Sequence, residues 1–165
     1  MSEHVAIYPG SFDPITNGHF DIIRRGVRCF DRVCVAVAYN AQKPSGLFTP
    51  QERVEMLGEV TAEFGDAVSV DSFHGLLVNY VAQVGATTII RGLRAVADFD
   101  YEFQLALMNR HLNANVETVF LMADAEYLYT SATLVKEVAS LGGDISKQVP
   151  EPVARRLKEK FGTPQ

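Results

Sequence analysis

Four short stretches of the chain carry residue types suited to a polyphosphate. The first runs Tyr8-Pro9-Gly10-Ser11-Phe12-Asp13-Pro14-Ile15-Thr16-Asn17-Gly18-His19. It follows the apolar run Val5-Ala6-Ile7, which predicts a buried strand, and precedes Phe20, Ile23, Val27 and Phe30, whose spacing predicts a helix. The stretch is therefore a strand-to-helix turn. Gly10 and Gly18 leave room for the backbone to bend or approach a ligand, and Thr16 or Asn17 suits the helix cap. Backbone N–H groups at a helix start attract anions, phosphate above all, and His19 adds a titratable donor in the first turn.

The second stretch, Tyr39 to Leu47, holds one cation, Lys43. The third, Arg91-Gly92-Leu93-Arg94-Ala95, sets two guanidinium groups about a glycine at the end of an apolar run. The fourth, Tyr127-Leu128-Tyr129-Thr130-Ser131-Ala132-Thr133, is dense in hydroxyls and leads into a helical pattern. Together they provide a point charge, fork-shaped donors and hydroxyl or backbone donors at helix starts. That combination points to nucleotide phosphates and reaction at phosphorus. Each stretch also has an ordinary reading. Lys43 as a solvated loop lysine, Arg91 and Arg94 as partners of Asp98, Asp100 or Glu102, and Ser131 and Thr133 as helix caps stay open at this point. Tyr101 and Phe103 read as core. No P-loop Gly-x-x-x-x-Gly-Lys, no Gly-x-Gly-x-x-Gly and no Gly-x-Ser-x-Gly occurs, which speaks against P-loop kinase, dinucleotide hydride and nucleophile-elbow chemistry.

Positioning these loops requires a scaffold, and the sequence outlines one. Apolar, β-branched runs recur at Val5-Ala6-Ile7, Val33 to Ala38, Val68-Ser69-Val70, Thr87 to Ile90 and Val116 to Leu121. Helical patterns lie between them, at Val54, Leu57, Val60, Phe64 and at Leu77, Tyr80, Val81, Val84; further helices are predicted from about Asp98 to His111, from about Ala132 to Leu141 and after Pro152. Thr49-Pro50-Gln51-Glu52 reads as an N-cap, a proline at N1 and a reciprocal capping partner. Strands buried on both faces and alternating with helices predict one Rossmann-like, doubly wound α/β domain over 1–165, with a five-stranded parallel sheet and a C-terminal helical part from about 131. Ligands of such sheets sit beyond the carboxyl ends of the strands.

Composition is consistent with this reading. The 165 residues, 47% apolar and 21% charged, suit one soluble domain, with no membrane-span-like run and no secretory signal, so the chain is expected in the cytoplasm and off membranes. A net charge of −5 argues against nucleic acid as a partner. Cys29 and Cys34 have no metal-type spacing and are expected as reduced, buried thiols, and His4, His74 and His111 share no ligand spacing, so no tight protein metal site is expected.

Pro9-Gly10-Ser11-Phe12-Asp13-Pro14 with Gly18-His19, the run from Ile90 to Glu102, and Leu134-Val135-Lys136-Glu137-Val138 resemble the bacterial phosphopantetheine adenylyltransferases, within the Gly-His nucleotidyltransferase superfamily. The resemblance extends from about Val5 to Leu157. It implies a Rossmann-like homohexamer that joins ATP and 4′-phosphopantetheine into dephospho-coenzyme A and pyrophosphate, the penultimate step of coenzyme A synthesis. It implies magnesium accompanying ATP, and feedback by coenzyme A at the same pocket. Residue by residue, it implies that His19 stabilises the transition state at the α-phosphate and that Ser11 and Lys43 orient the attacking phosphate. Arg91 would hold the pantetheine end and Leu77 would line its arm. Phe12, Gly92, Leu93, Arg94, Glu102 and the segment Tyr127, Leu128, Tyr129, Thr130, Ser131, Ala132 and Thr133 would hold ATP, as Ser11 and His19 also would. Three departures stand out. Ser11 replaces the family's usual Thr, the Lys43 loop is one residue longer, and Ala132 interrupts a run of hydroxyl residues. The competing functions are transfer to nicotinate mononucleotide or glycerol phosphate, and a non-catalytic nucleotide sensor.

Overall fold

The computed structural model describes residues 3–43 and 45–162. Pro44, in the Lys43 loop, lies outside the described residues. Five parallel strands, β1 (Val5–Gly10), β2 (Arg32–Ala38), β3 (Val68–Phe73), β4 (Thr88–Leu93) and β5 (Glu117–Met122), lie in the order β3-β2-β1-β4-β5. The helices are α1 (Asn17–Cys29), α2 (Pro50–Thr61), α3 (Leu77–Val84), α4 (Val96–Leu112), α5 (Ala132–Ser140) and α6 (Glu151–Phe161). This is the Rossmann-like parallel sheet expected. Individual bounds shift: β1, β3 and β4 run on to Gly10, Phe73 and Leu93, and α1 starts at Asn17.

The sheet is buried on both faces because its strands are apolar at consecutive positions rather than alternate ones. Val33, Val35 and Val37 face one core with Ala6, Ile23, Met56 and Leu57, while Cys34, Ala36 and Ile7 face the other with Tyr80, Val81 and Ile89. Val153 and Leu157 of α6 and Ile145 and Val149 before it extend the first core. Ion pairs from Arg156 to Glu59 and Glu55 and from Lys160 to Glu52 fasten α6 to α2. Cys34 is buried, but Cys29 is exposed at the end of α1, contrary to the expectation of two buried thiols.

α4 departs most from a simple amphipathic helix. Its buried residues include the polar Glu102 and Asn109, while Phe99, Tyr101, Phe103, Leu107, Met108 and Leu112 are all exposed. The expectation that Tyr101 and Phe103 belong to the core is therefore corrected. The buried side of α4 carries Glu102, which Arg91 of β4 binds, while these apolar side chains are turned outward.

Strand pairing opens a cleft at the centre of the sheet. β1 pairs with β2 from Val5 through Gly10, but with β4 only at Ala6–Thr88 and Ile7–Ile89. Beyond Ile7 the two central strands part. Pro9 has no N–H to give a ladder, and Arg91 Nη1 takes its carbonyl at 3.3 Å instead. The gap lies where strand order reverses, the position at which open α/β sheets bind ligands.

Candidate active site

The turn after β1 is rigid because its own side chains are buried. Phe12 is 1% exposed, and its ring meets Tyr8 edge-on at 5.4 Å and His19 edge-on at 5.1 Å. Its backbone takes a positive φ of 46°, a conformation that costs an L residue on the order of 1–2 kcal/mol and that the surrounding packing must hold in place. Thr16 caps α1: its Oγ1 accepts from the His19 N–H at 3.3 Å, and the Thr16 N–H donates to His19 Nδ1 at 3.0 Å. This is a capping box with histidine in the place usually taken by Glu or Gln.

That second bond sets the chemistry of His19. A backbone N–H can only donate, so Nδ1 must be the acceptor and the neutral ring carries its proton on Nε2. Burial, reinforced by the Arg94 and Arg91 charges, pushes the imidazole pKa down to about 4. His19 is thus a neutral hydrogen-bond donor at physiological pH, its ring aimed into the cavity. Gly18 allows the approach of the opposite wall, since a Cβ there would come within 3.3 Å of Tyr127 Cβ.

The far wall belongs to β4 and α4. Arg91 grips Glu102 through two parallel bonds, Nε to Oε2 at 2.7 Å and Nη2 to Oε1 at 2.6 Å, while Nη1 holds Pro9. Burial opposes the Arg91 charge, but the Glu102 carboxylate outweighs it and raises the guanidinium pKa. Arg94 donates to the Thr130 carbonyl at 3.1 Å and pairs with Asp98 at 3.4 Å, tying the end of β4 to the segment before α5. Both arginines are therefore ion-paired and line the cavity at once.

Between these walls is a cavity of about 480 Å³. Ser11, Phe12, His19, Arg91, Gly92, Arg94, Glu102, Tyr127 and Thr130 line it, together with Tyr8, Thr16, Asp98, Tyr101 and Ala123, which were not expected there. The signal for Thr16 is present in the sequence as Thr-x-x-His ahead of a helix, whereas Tyr101 has the look of core. Leu93, Leu128, Tyr129, Ser131, Ala132 and Thr133 lie outside this lining; Ser131 Oγ caps α5 by accepting from Leu134 N–H at 3.1 Å. Leu77 opens α3 and packs against the core between α3 and the sheet. Lys43 is exposed on the loop after β2, its N–H bonded to Asn40 Oδ1 at 3.3 Å.

The family model described as cytidylyltransferase-like matches residues 7–138. A phosphopantetheine adenylyltransferase of Syntrophus aciditrophicus is 57% identical over 157 residues, covering 95% of this chain and 94% of the relative. The chain belongs to the phosphopantetheine adenylyltransferase family. Another relative of that name, from Caldanaerobacter subterraneus subsp. tengcongensis, is 57% identical over 158 residues, covering 95% of this chain and 97% of its own. A solved structure from Vibrio parahaemolyticus, provisionally a nicotinate-nucleotide adenylyltransferase, aligns with a TM-score of 0.70 over 98% of both chains at 15% identity, a likeness of fold alone. In this member of the phosphopantetheine adenylyltransferase family, the residues matched by the cytidylyltransferase-like model take in the Thr16–His19 capping box, Arg91 and Arg94. Among the described residues no helix is long and apolar enough to cross a membrane, and no three His, Cys, Asp or Glu side chains cluster as a metal site.

Proposed function

We propose that this chain transfers the adenylyl group of ATP to 4′-phosphopantetheine in one in-line displacement. A phosphate oxygen of the acceptor attacks the α-phosphorus, and the bond from that phosphorus to the oxygen bridging the α- and β-phosphates breaks. Pyrophosphate leaves with the electron pair, and dephospho-coenzyme A is formed. The acceptor phosphate is already a nucleophile, so the protein needs no covalent intermediate and no strong base. Positioning and charge stabilisation carry the rate.

The observation that carries this reading is the neutral, Nε2-protonated His19 facing Arg91, Gly92 and Arg94 across the cleft between β1 and β4. His19 donates to a non-bridging oxygen of the α-phosphate and transfers no proton. Arg94 and Gly92 face the nucleotide across the cavity, with Tyr127 and Thr130 on its far side, and Leu93 and the rest of Tyr127 to Thr133 meet the part of ATP that extends beyond it. Glu102 acts first by orienting Arg91, which faces the pantetheine end. Ser11 and Lys43 orient the attacking phosphate, Lys43 entering from its exposed loop, and Leu77 borders the pantetheine arm.

Magnesium supplies counter-charge when it arrives on the ATP phosphates. Asp98 and Glu102, the carboxylates on the cavity wall, are engaged by Arg94 and Arg91. The remaining donor set is N–H and hydroxyl, which suits an ion that keeps phosphate and water ligands. The proposal includes one domain over 1–165, a cytoplasmic location and a homohexamer. The apolar face of α4, with Phe99, Phe103, Leu107, Met108 and Leu112 between 43% and 55% exposed, supports assembly. Coenzyme A, which contains both the adenylate and the pantetheine parts, would compete for the same cavity and act as a feedback ligand.

An acceptor assay tests the function. With magnesium and ATP, pyrophosphate release is expected with 4′-phosphopantetheine and not with nicotinate mononucleotide or glycerol phosphate. Release driven only by another acceptor would overturn the assignment, and nucleotide binding without release would make the chain a sensor.

A further inference from the structure

Beside the first cavity lies a second, of about 580 Å³, bordered by Ser11, Tyr39, Asn40, Ser45, Gly46 and Arg53. Beneath it is a buried cluster of charge that reaches the turn after β1 through the Ser11 carbonyl. Arg53, 4% exposed, sits on the inward face of α2 beside Met56 and Leu57, where the helix pattern calls for an apolar residue. Its Nε donates to the Phe48 carbonyl at 2.8 Å, Nη1 to the Ser11 carbonyl at 3.2 Å and Nη2 to the Ser45 carbonyl at 2.7 Å. Asp13, 6% exposed, accepts from Leu47 N–H at 3.0 Å and Phe48 N–H at 2.9 Å. Lys136 of α5 reaches the same carboxylate at 2.8 Å, and Arg53 Nε lies 3.5 Å from it.

The geometry points to Arg53, with Asp13 and Lys136, as a positioning device that holds the Lys43 loop at a set distance from Ser11. Of the three carbonyls that Arg53 holds, one belongs to the turn after β1 and two to the loop after β2, so a single rigid fork spans both. Asp13 does the same from the other side, through its own backbone in the first loop and its carboxylate in the second. Gly46 shows how close the fit is. Its φ is 116°, and a Cβ there would fall 2.1 Å from Arg53 Nη2 and 2.6 Å from Asp13 Oδ2. Burial alone would raise the Asp13 pKa, but the Lys136 ammonium, the two N–H donors and Arg53 together hold it below the usual carboxylate range. The cluster therefore stays charged and closed at neutral pH. The positioning role rests on the proposed reaction, in which Ser11 and Lys43 meet the acceptor phosphate.

Arg53→Lys keeps the charge but loses the fork, and cannot reach three carbonyls at once. It is expected to raise KM for 4′-phosphopantetheine on the order of tenfold to a hundredfold, as a misplaced substrate-orienting loop does, while the ATP dissociation constant measured by calorimetry moves less than about twofold. Lys136→Met, at the rim of the cluster, is expected to move the same constant severalfold, and Lys136→Arg to restore it. The Lys136 pair serves if Arg53→Lys does not fold. Equal weakening of both substrates, unchanged acceptor KM, or no rescue by Lys136→Arg would each overturn the positioning role. A wild-type protein that releases no pyrophosphate with this acceptor would defeat the proposed reaction itself, which these variants alone cannot do.

Discussion

The turn after β1 and the loop after β2 occupy equivalent places, each leaving the carboxyl end of a central strand and leading into a helix. They are built in opposite ways. The first buries Phe12, Asp13, Ile15 and Thr16 and fixes His19 through a reciprocal cap. The second is exposed from Asn40 to Gly46 at every described position, and its order comes from Asn40 at one end and from Asp13 and Arg53 at the other. The first loop is rigid through its own side chains, and the second is largely rigid by attachment to the first. The contrast matches the tasks proposed for them. A donor to a developing charge has to be placed before the reaction, whereas a loop that admits a substrate must leave its tip accessible.

The largest effect that can break this comparison is on rate. His19→Ala is expected to lower turnover by about 10²–10³ with ATP binding retained, the usual cost of one preorganised donor; near-normal turnover in a single-turnover assay would remove His19 from the chemistry. Next in size is the cap. Thr16→Ala is expected to cost about 1 kcal/mol in denaturant unfolding, the typical loss for an N-cap. Asn40→Ala, which removes an acceptor shared by Gln42 and Lys43 N–H groups on the exposed loop, should stay within about 0.5 kcal/mol. Equal costs for the two would show that the loops are held alike.

The subtlest test is in pH. His19 titrates near 4 in the fold against an ordinary value of 6.5, so between those values the unfolded chain carries the extra proton. The stability tied to the neutral ring is complete above 6.5 and lost as pH falls toward 4. His19→Gln keeps a capping-box residue without a titrating ring. Its melting temperature should match that of the wild type at neutral pH and fall less on acidification through this window. Identical pH profiles would mean that the imidazole is not held neutral by the fold.

Features fixed by neighbours in the chain are legible in the sequence. Apolar runs mark the strands, the Thr49–Glu52 box marks the start of α2, and the Gly18-His19 turn, Arg91 and Arg94 stand out by type and position as candidates for phosphate handling. The fold brings that turn and both arginines to one cavity. Features that depend on distant partners are not legible in this way. An arginine at position 53 looks like a surface charge until Ser11, Ser45 and Phe48 bring their carbonyls to it. Tyr101 and Phe103 look like core because apolar side chains usually are, yet on α4 the inward side is taken by Glu102, which Arg91 holds against the end of β4. The same holds for His19. Residue type makes it a candidate and helix position gives it a cap, but its neutral state depends on burial beside Arg91 and Arg94, residues more than seventy positions away in the chain. Local periodicity and capping act within a few residues and can be read along the chain, whereas desolvation and charge pairing exist only after the chain has closed on itself.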